Sequence, residues 1–544
     1  MSGASHTQNT QLSEAKNDRA VGADEEGVWH DLGVLDRLEA NGRAVAKIAG
    51  HQVALFQTAG GLYAVNNRCP HEGYPLVEGT VKDDCVLACN WHGWSFDLKT
   101  GKTILGRDPV KTYPVEKRSG RVFVHIVETP ASTVRTEAMA ELAEAMAEHD
   151  YERIARSLCR FEMAGGTYED AAIWVLNWSE GRLERGFGHA HAGLTDWISL
   201  AGADDELRFV AFLEAFGHFA WDALFSPKVV LVAAATTFTA EALLAAIESM
   251  DVETAVAICT AGLDQGLGFS DIKPVLLDFV FSHYAGFGHP AIYIGKAEEM
   301  IVHLGQRVEG VLCRQLVRYL CLAAREDLIP EFRLFGNLLE NPTALSGGAL
   351  VAQELSGTSV RQLLPKVAAS NGNNHEKWDV LVASSALDML KFEETLQHGI
   401  EQSIAQNTGW LDFTHAITFA EAVYTHASLN SDLWRSGHLQ QACFIGRNAK
   451  SLSVNTFEQW RVADVLVFFA TQKATLFDMD AGEYIYGVHR LKLITATERL
   501  LGIVTIETGA LLVAALNRYL SSGLRQRHPA RTAFQARASV TREG

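Results

Sequence analysis

Between Val28 and about Val127, short runs alternate apolar with polar positions. Examples are Ala44-Val45-Ala46-Lys47-Ile48, Leu62-Tyr63-Ala64-Val65 and Arg121-Val122-Phe123-Val124-His125-Ile126. Gly60-Gly61 and Ser119-Gly120 punctuate them as turns, and the pattern predicts a small all-β domain. From Glu137 to about Leu524 the period changes. Prolines become sparse and positions recur at helical spacing, as along Leu207, Val210, Ala211, Glu214 and His218. No strict repeat at a fixed period is present. The expectation is a multi-domain chain, a small all-β domain followed by a large all-α helical domain. Its predicted parts are a disordered polar tail (1–26), the β domain (27–128), a linker and first helix (129–150), the helical domain (151–521) and a flexible arginine-bearing tail (522–544).

Composition narrows the class. Of 544 residues, 48% are hydrophobic and 21% charged, the balance of an ordinary globular protein. A net charge of −18 weighs against nucleic-acid and anionic-membrane partners. The first twenty residues lack the apolar core of a secretory signal. No uncharged apolar run reaches the length of about 18 residues that a spanning helix needs. These features predict a cytoplasmic protein with no membrane partner. The eight cysteines are scattered, as expected of thiols in a reducing compartment.

Two short segments carry the strongest chemistry: Cys69-Pro70-His71-Glu72-Gly73 and Cys89-Asn90-Trp91-His92-Gly93-Trp94-Ser95-Phe96. Each pairs one thiolate with one imidazole at the tip of a loop. A structural zinc site is the alternative for such a donor set. Zinc motifs, however, usually group the two cysteines in one pair and the two histidines in the other. The mixed pairs suit a [2Fe–2S] centre in which two thiolates hold one iron and two imidazoles the other.

These loops resemble the Rieske family, in its ferredoxin and oxygenase type. The resemblance covers about residues 28–127 and implies a [2Fe–2S] cluster on Cys69, His71, Cys89 and His92. Respiratory Rieske proteins carry an extra disulfide and hydroxyl side chains beside the cluster. Here Asn90 and Trp91 fill the Cys-to-His gap, and Trp94 and Phe96 stand where the hydroxyls would be. Fewer hydrogen bonds to the sulfurs imply a potential near the low end of the Rieske range.

Twelve of the twenty histidines fall between His189 and His489, several of them within apolar helices. A lone histidine there is usually a satisfied core residue, but a convergent set can bind metal. Three segments resemble the questin oxidase-like family in order. They are Gly188-His189-Ala190-His191-Ala192-Gly193-Leu194, Gly288-His289-Pro290-Ala291-Ile292-Tyr293-Ile294-Gly295 and Asp412-Phe413-Thr414-His415-Ala416-Ile417-Thr418-Phe419. That family is all-α and includes O2-dependent enzymes that open quinone rings; Tyr293 departs from its pattern, which has histidine there. His218 joins His189, His289 and His415 as a candidate because its helix also presents Glu214 and Asp222. A bland reading of that polar row is a paired stripe holding helices in register.

No Glu-x-x-His, His-Glu-x-x-His, Walker A or strand-following Gly-x-Gly-x-x-Gly occurs. The first expectation is therefore an oxygenase-like oxidoreductase. A ferredoxin or flavin reductase would supply electrons. The cluster would feed a histidine-lined site in the helical domain, with a second, non-haem metal (iron), O2 and a small cyclic or aromatic substrate. Tethering in one chain keeps donor and acceptor at high effective concentration. A homo-oligomer is compatible with this. Two other readings stand beside it. One is a non-catalytic electron carrier with a helical docking scaffold. The other is a divergent ring-hydroxylating oxygenase alpha subunit, suggested by Asn177-Trp178 ahead of His189 and His191.

Overall fold

The structure is a computed structural model, which describes residues 27–542 except 84, 231–235, 342–344, 454–456, 480–481 and 525–526. The tail expected at 1–26 lies outside the described residues. The chain divides into two compact units at Pro130/Ala131.

The first unit is built from three antiparallel sheets. Val28–Asp31, Arg121–Ile126 and Val115–Arg118 form one; Arg43–Ile48, His51–Thr58, Gly61–Asn66 and Thr112–Tyr113 form the second. The third is a meander of Thr80–Lys82, Val86–Ala88, Ser95–Asp97 and Thr103–Leu105. Alternation does what it predicts in Arg121–Ile126, where Val122, Val124 and Ile126 are buried and the intervening side chains are not. A second apolar cluster, with Phe56, Leu76, Leu87 and Phe96 at its centre, also buries Cys69 and Cys89. The two cluster loops thus rest on a packed floor.

The second unit contains helices and no named strand among its described residues. It therefore lacks the α+β catalytic domain that the ring-hydroxylating reading requires. Its first helix, Ala131–Glu148, starts directly after Pro130, leaving less linker than the composition suggested. The tail expected to be flexible at 522–544 contains the helix Pro529–Val540. The reason is Arg531, which is buried and donates to the carbonyls of Leu396, Gln397 and Gly399 at the end of a 3-10 turn. A guanidinium with five donors can satisfy such carbonyls where water cannot reach. None of the described helices is long and apolar enough to cross a membrane.

Four helices organise the interior: α1 (His189–Ala201), α2 (His289–Leu304), α3 (Trp410–Ala427) and α4 (Tyr484–Leu501). Each packs on the next, α1 on α2, α2 on α3, α3 on α4 and α4 on α1. Polar side chains face the axis in two layers. One holds His189, His289, His415 and His489. The other holds Asp196, Lys296, Glu299, Glu421 and Arg499, joined by ion pairs of 2.7–3.7 Å. In all four helices the charged layer lies C-terminal to the histidine, so the four run in the same direction.

Candidate functional site: an iron–sulfur loop pair and a histidine ring

The two cysteine–histidine loops are near copies of each other. Cys69 N–H donates to the Tyr74 carbonyl and Gly73 N–H to the Cys69 carbonyl, at 2.9 and 2.8 Å. Cys89 and Trp94, and Gly93 and Cys89, repeat this at 2.7 and 2.9 Å. Gly73 and Gly93 both sit in the left-handed region, φ 72° and 77°, where a side chain would be strained. Asn90 anchors the second loop to the Glu78–Thr80 segment by donating to the Glu78 carbonyl at 2.6 Å and accepting from Thr80 Oγ1 at 2.9 Å.

Both thiols are buried, whereas the imidazoles of His71 and His92 are 27% and 41% exposed. Their Nδ1 atoms lie 3.1 Å apart. Two ligands on one tetrahedral ion at about 2.1 Å stand about 3.4 Å apart, so one iron fits both nitrogens. Burial, above all, pushes the Cys69 thiol up, with Cys89 beside it adding to the shift. Two such thiols become thiolates when iron binds. Trp94 stacks on the His71 ring at 4.7 Å and 16°.

The histidine ring is built differently. Gly188 caps α1 with extended backbone, and its N–H donates to His191 Nδ1. The turn Gly286–Gly288, with Phe287 at φ 54°, sets the start of α2, where Pro290 suits the first turn. His189 and His289 thereby open two helices at one end of the bundle. His289 Nε2 lies 3.0 Å from His189 Nε2 and 2.9 Å from His415 Nε2, and His415 Nε2 lies 3.2 Å from His489 Nε2.

The other ring nitrogens are committed. His289 Nδ1 donates to the Gly286 carbonyl at 2.7 Å, His415 Nδ1 to Leu411 at 2.5 Å and His489 Nδ1 to Ile485 at 2.6 Å. A carbonyl can only accept, so these imidazoles carry their proton on Nδ1. Burial pushes the pKa of His289 down to about 3 and those of His189, His415 and His489 well below the usual range, so the rings are neutral near pH 7. The Nε2 atoms of His289 and His415 therefore present lone pairs to each other, and that of His489 presents its own to His415. Such a contact is repulsive unless a cation lies among them. Ligands about 2.1 Å from one ion stand about 3.0 Å apart when cis in an octahedron, close to the spacings here. Nδ1 held by a carbonyl is also the usual support for a metal-binding histidine. The donor set fits a divalent transition metal.

Residues 28–114 match the Rieske [2Fe–2S] domain family. The ferredoxin subunit of 3-phenylpropionate/cinnamic acid dioxygenase from Shigella flexneri serotype 5b (strain 8401) is 41% identical over 78 residues, 14% of this chain and 74% of that protein. This chain belongs to the Rieske family. The corresponding subunit of Escherichia coli (strain K12) matches to the same extent. Among solved structures, the terminal oxygenase of carbazole 1,9a-dioxygenase from Nocardioides aromaticivorans IC177 is similar at 26% identity and a TM-score of 0.17. That match covers 19% of this chain and 30% of the oxygenase. The family membership rests on the first unit, whose buried thiols and paired imidazoles fit the Rieske [2Fe–2S] cluster residue by residue.

Of the four histidines expected to share a pocket, the structure brings His189, His289 and His415 together. It places His218 elsewhere. That residue stacks on Tyr484 at 5.4 Å and faces Asp222 at 3.5 Å, in the wall of a separate cavity of about 570 Å3 with Glu214 and Tyr151. His218 lies near enough to His489 for their charges to interact, but its Nε2 faces Asp222. His191 is also structural, its Nε2 bonded to Gln315 at 2.8 Å. His489 takes the place expected of His218. Its signal in the sequence is a polar stripe through an apolar helix, His489, Lys492 and Arg499 at spacings of three and seven.

Proposed function

We propose that this protein is an O2-dependent oxidoreductase in which the Rieske cluster supplies single electrons to a mononuclear non-haem metal site in the helical unit. His289 and His415 would hold the ion through Nε2, with His189 and His489 beside them completing the ring. The observation that carries the proposal is the buried pair of carbonyl-locked imidazoles, His289 and His415, whose Nε2 lone pairs face each other, with His189 in contact with the first and His489 with the second. A redox-active ion there supplies one-electron chemistry with O2.

The chain's own residues perform the supporting tasks. The exposed edges of His71 and His92 offer external electrons a route to the cluster, and the donor is a ferredoxin or a flavin reductase. The carbonyls of Gly286, Leu411 and Ile485 fix the imidazole tautomers. Tyr293 Oη, 3.3 Å from His189 Nδ1, orients the fourth ring. A cavity of about 510 Å3 opens onto His189 and His289 and is walled by Phe187, Phe287, Tyr293 and Tyr319. Its size and lining suit a small cyclic or aromatic substrate.

The test is a single-turnover experiment. Reduced protein is mixed with O2 and substrate candidates while the cluster absorbance is followed. Electron feed predicts that cluster reoxidation slows in His415→Ala while its spectrum is unchanged. Equal reoxidation in both proteins contradicts the reading.

A further inference from the structure

The histidine ring lacks something that metal sites of this kind usually have. Its donors are imidazole nitrogens, and among the described residues no carboxylate joins the group of His189, His289 and His415. Of the three acids that line the cavity, Glu184 is exposed to solvent and the other two are weakened as anions. Burial pushes Asp222 up to about 7 and raises Glu326 as well.

Positive features, by contrast, converge on the same space. Arg185 lines the cavity, and its charge is felt at His289, Tyr293 and Tyr319, so it acts inward. Among the described residues no carboxylate lies within ion-pair distance of its guanidinium. Lys492, only 2% exposed, lies 5.9 Å from the Tyr293 ring that forms the cavity wall, and its Nζ has no hydrogen-bond partner. Helices α1 and α2 both begin at the ring and aim the positive ends of their dipoles at the cavity. The charged layer farther along the axis pairs its acids with Lys296 and Arg499, and Lys492 feels the charges of Asp196 and Glu421 there without an ion pair to either.

Lys492 is a buried ammonium without an ion pair, which is costly, and the exposed Arg185 adds a second positive charge at the rim of the cavity. We propose that the cavity over the histidine ring takes a planar aromatic substrate bearing an acidic oxygen group, carboxylate or phenolate, which pairs with Arg185. The aromatic walls grip the ring, the guanidinium fixes the acidic group, and Lys492 with the two helix ends supplies the field that favours the anion. This deepens the proposed function and rests on that reading for the chemistry. Arg185, Lys492 and the helix ends stand independently of the metal.

The probes are 1-naphthoate, its uncharged isostere 1-naphthamide and 1-naphthol across its ionisation, titrated calorimetrically into the full-length protein as purified, with metal content measured in parallel. Naphthoate is expected to bind at least tenfold more tightly than naphthamide. Arg185→Gln should remove most of that preference and Lys492→Met part of it, both with the Rieske spectrum and the thermal unfolding midpoint unchanged. Tighter naphthol binding as it ionises would assign phenolate a place beside carboxylate; no change would confine the site to carboxylates. Equal affinity for naphthoate and naphthamide, or an undiminished preference in Arg185→Gln, overturns the inference. A second metal with no anion preference removes this inference alone. Anion preference with only two irons per chain removes the metal reading and leaves this one standing.

Discussion

The Nε2 atoms of His289 and His415 face each other at 2.9 Å while both rings give their Nδ1 protons to main-chain carbonyls. Neither ring has a proton left for the contact. Two helices from segments 126 residues apart thus bring two lone pairs together in a buried site. The proposed metal ion would relieve that repulsion.

His489 and His218 distinguish ligand from neighbour. His489→Ala should lower the second-metal content well below that of the wild type. His218→Ala should leave it unchanged, because that ring faces Asp222 and Tyr484. Atomic absorption on both purified variants decides between them. Equal loss in the two would remove His489 from the site.

The Rieske potential should lie well below about +300 mV, the top of the family range. Trp94 packs on His71 and Phe96 is buried, so neither gives the cluster a hydroxyl donor. Trp94→Ser with Phe96→Tyr should raise the midpoint in protein-film voltammetry. A wild-type value near the top of the range would contradict the argument.

Asn90 should matter for cluster retention rather than for the cluster's colour. Its two hydrogen bonds hold the second loop to the Glu78–Thr80 segment. Asn90→Ala should cost about 0.5–1.5 kcal/mol of local stability and speed cluster loss under mild heating. The rhombic signal of freshly reduced protein should not change. Retention equal to the wild type would show that the loops are held by other contacts.

How much of this was legible in the sequence depends on how local each signal is. The four Rieske ligands lie in two short loops, with glycines and prolines marking the turns, and the motif is complete without tertiary information. The histidine ring draws one residue from each of four separate helices. His189, His289 and His415 stand in segments with flanking glycine, proline or aspartate. His489 sits mid-helix in Val488-His489-Arg490 with no such marker. His218 looked equivalent because Glu214 and Asp222 share its helical face, and periodicity cannot say which neighbour that face meets. Arg531 misled in the same way: an arginine-rich stretch reads as a solvated tail, yet one guanidinium found three carbonyls to cap.

Acid should destabilise the helical unit through His438. Burial pushes its pKa down to about 4, below the ordinary 6.5, while Nε2–H donates to the Asn374 carbonyl at 3.0 Å. The unfolded chain then binds the proton more readily than the folded one. Stability is therefore full above pH 6.5, falls as pH drops toward 4 and levels below it. The loss is about 3 kcal/mol for this one group. His438→Phe, which keeps a ring against Trp434, should flatten the dependence of the urea midpoint over that interval. An unchanged slope would assign the acid sensitivity to other groups.

The most direct test of the central claim is the metal content of the full chain compared with His289→Ala. The account predicts two irons plus one further transition metal ion per chain in the wild type. In the variant it predicts two irons, with the Rieske EPR signal of the reduced protein intact. Two irons and no other metal in both proteins would contradict it.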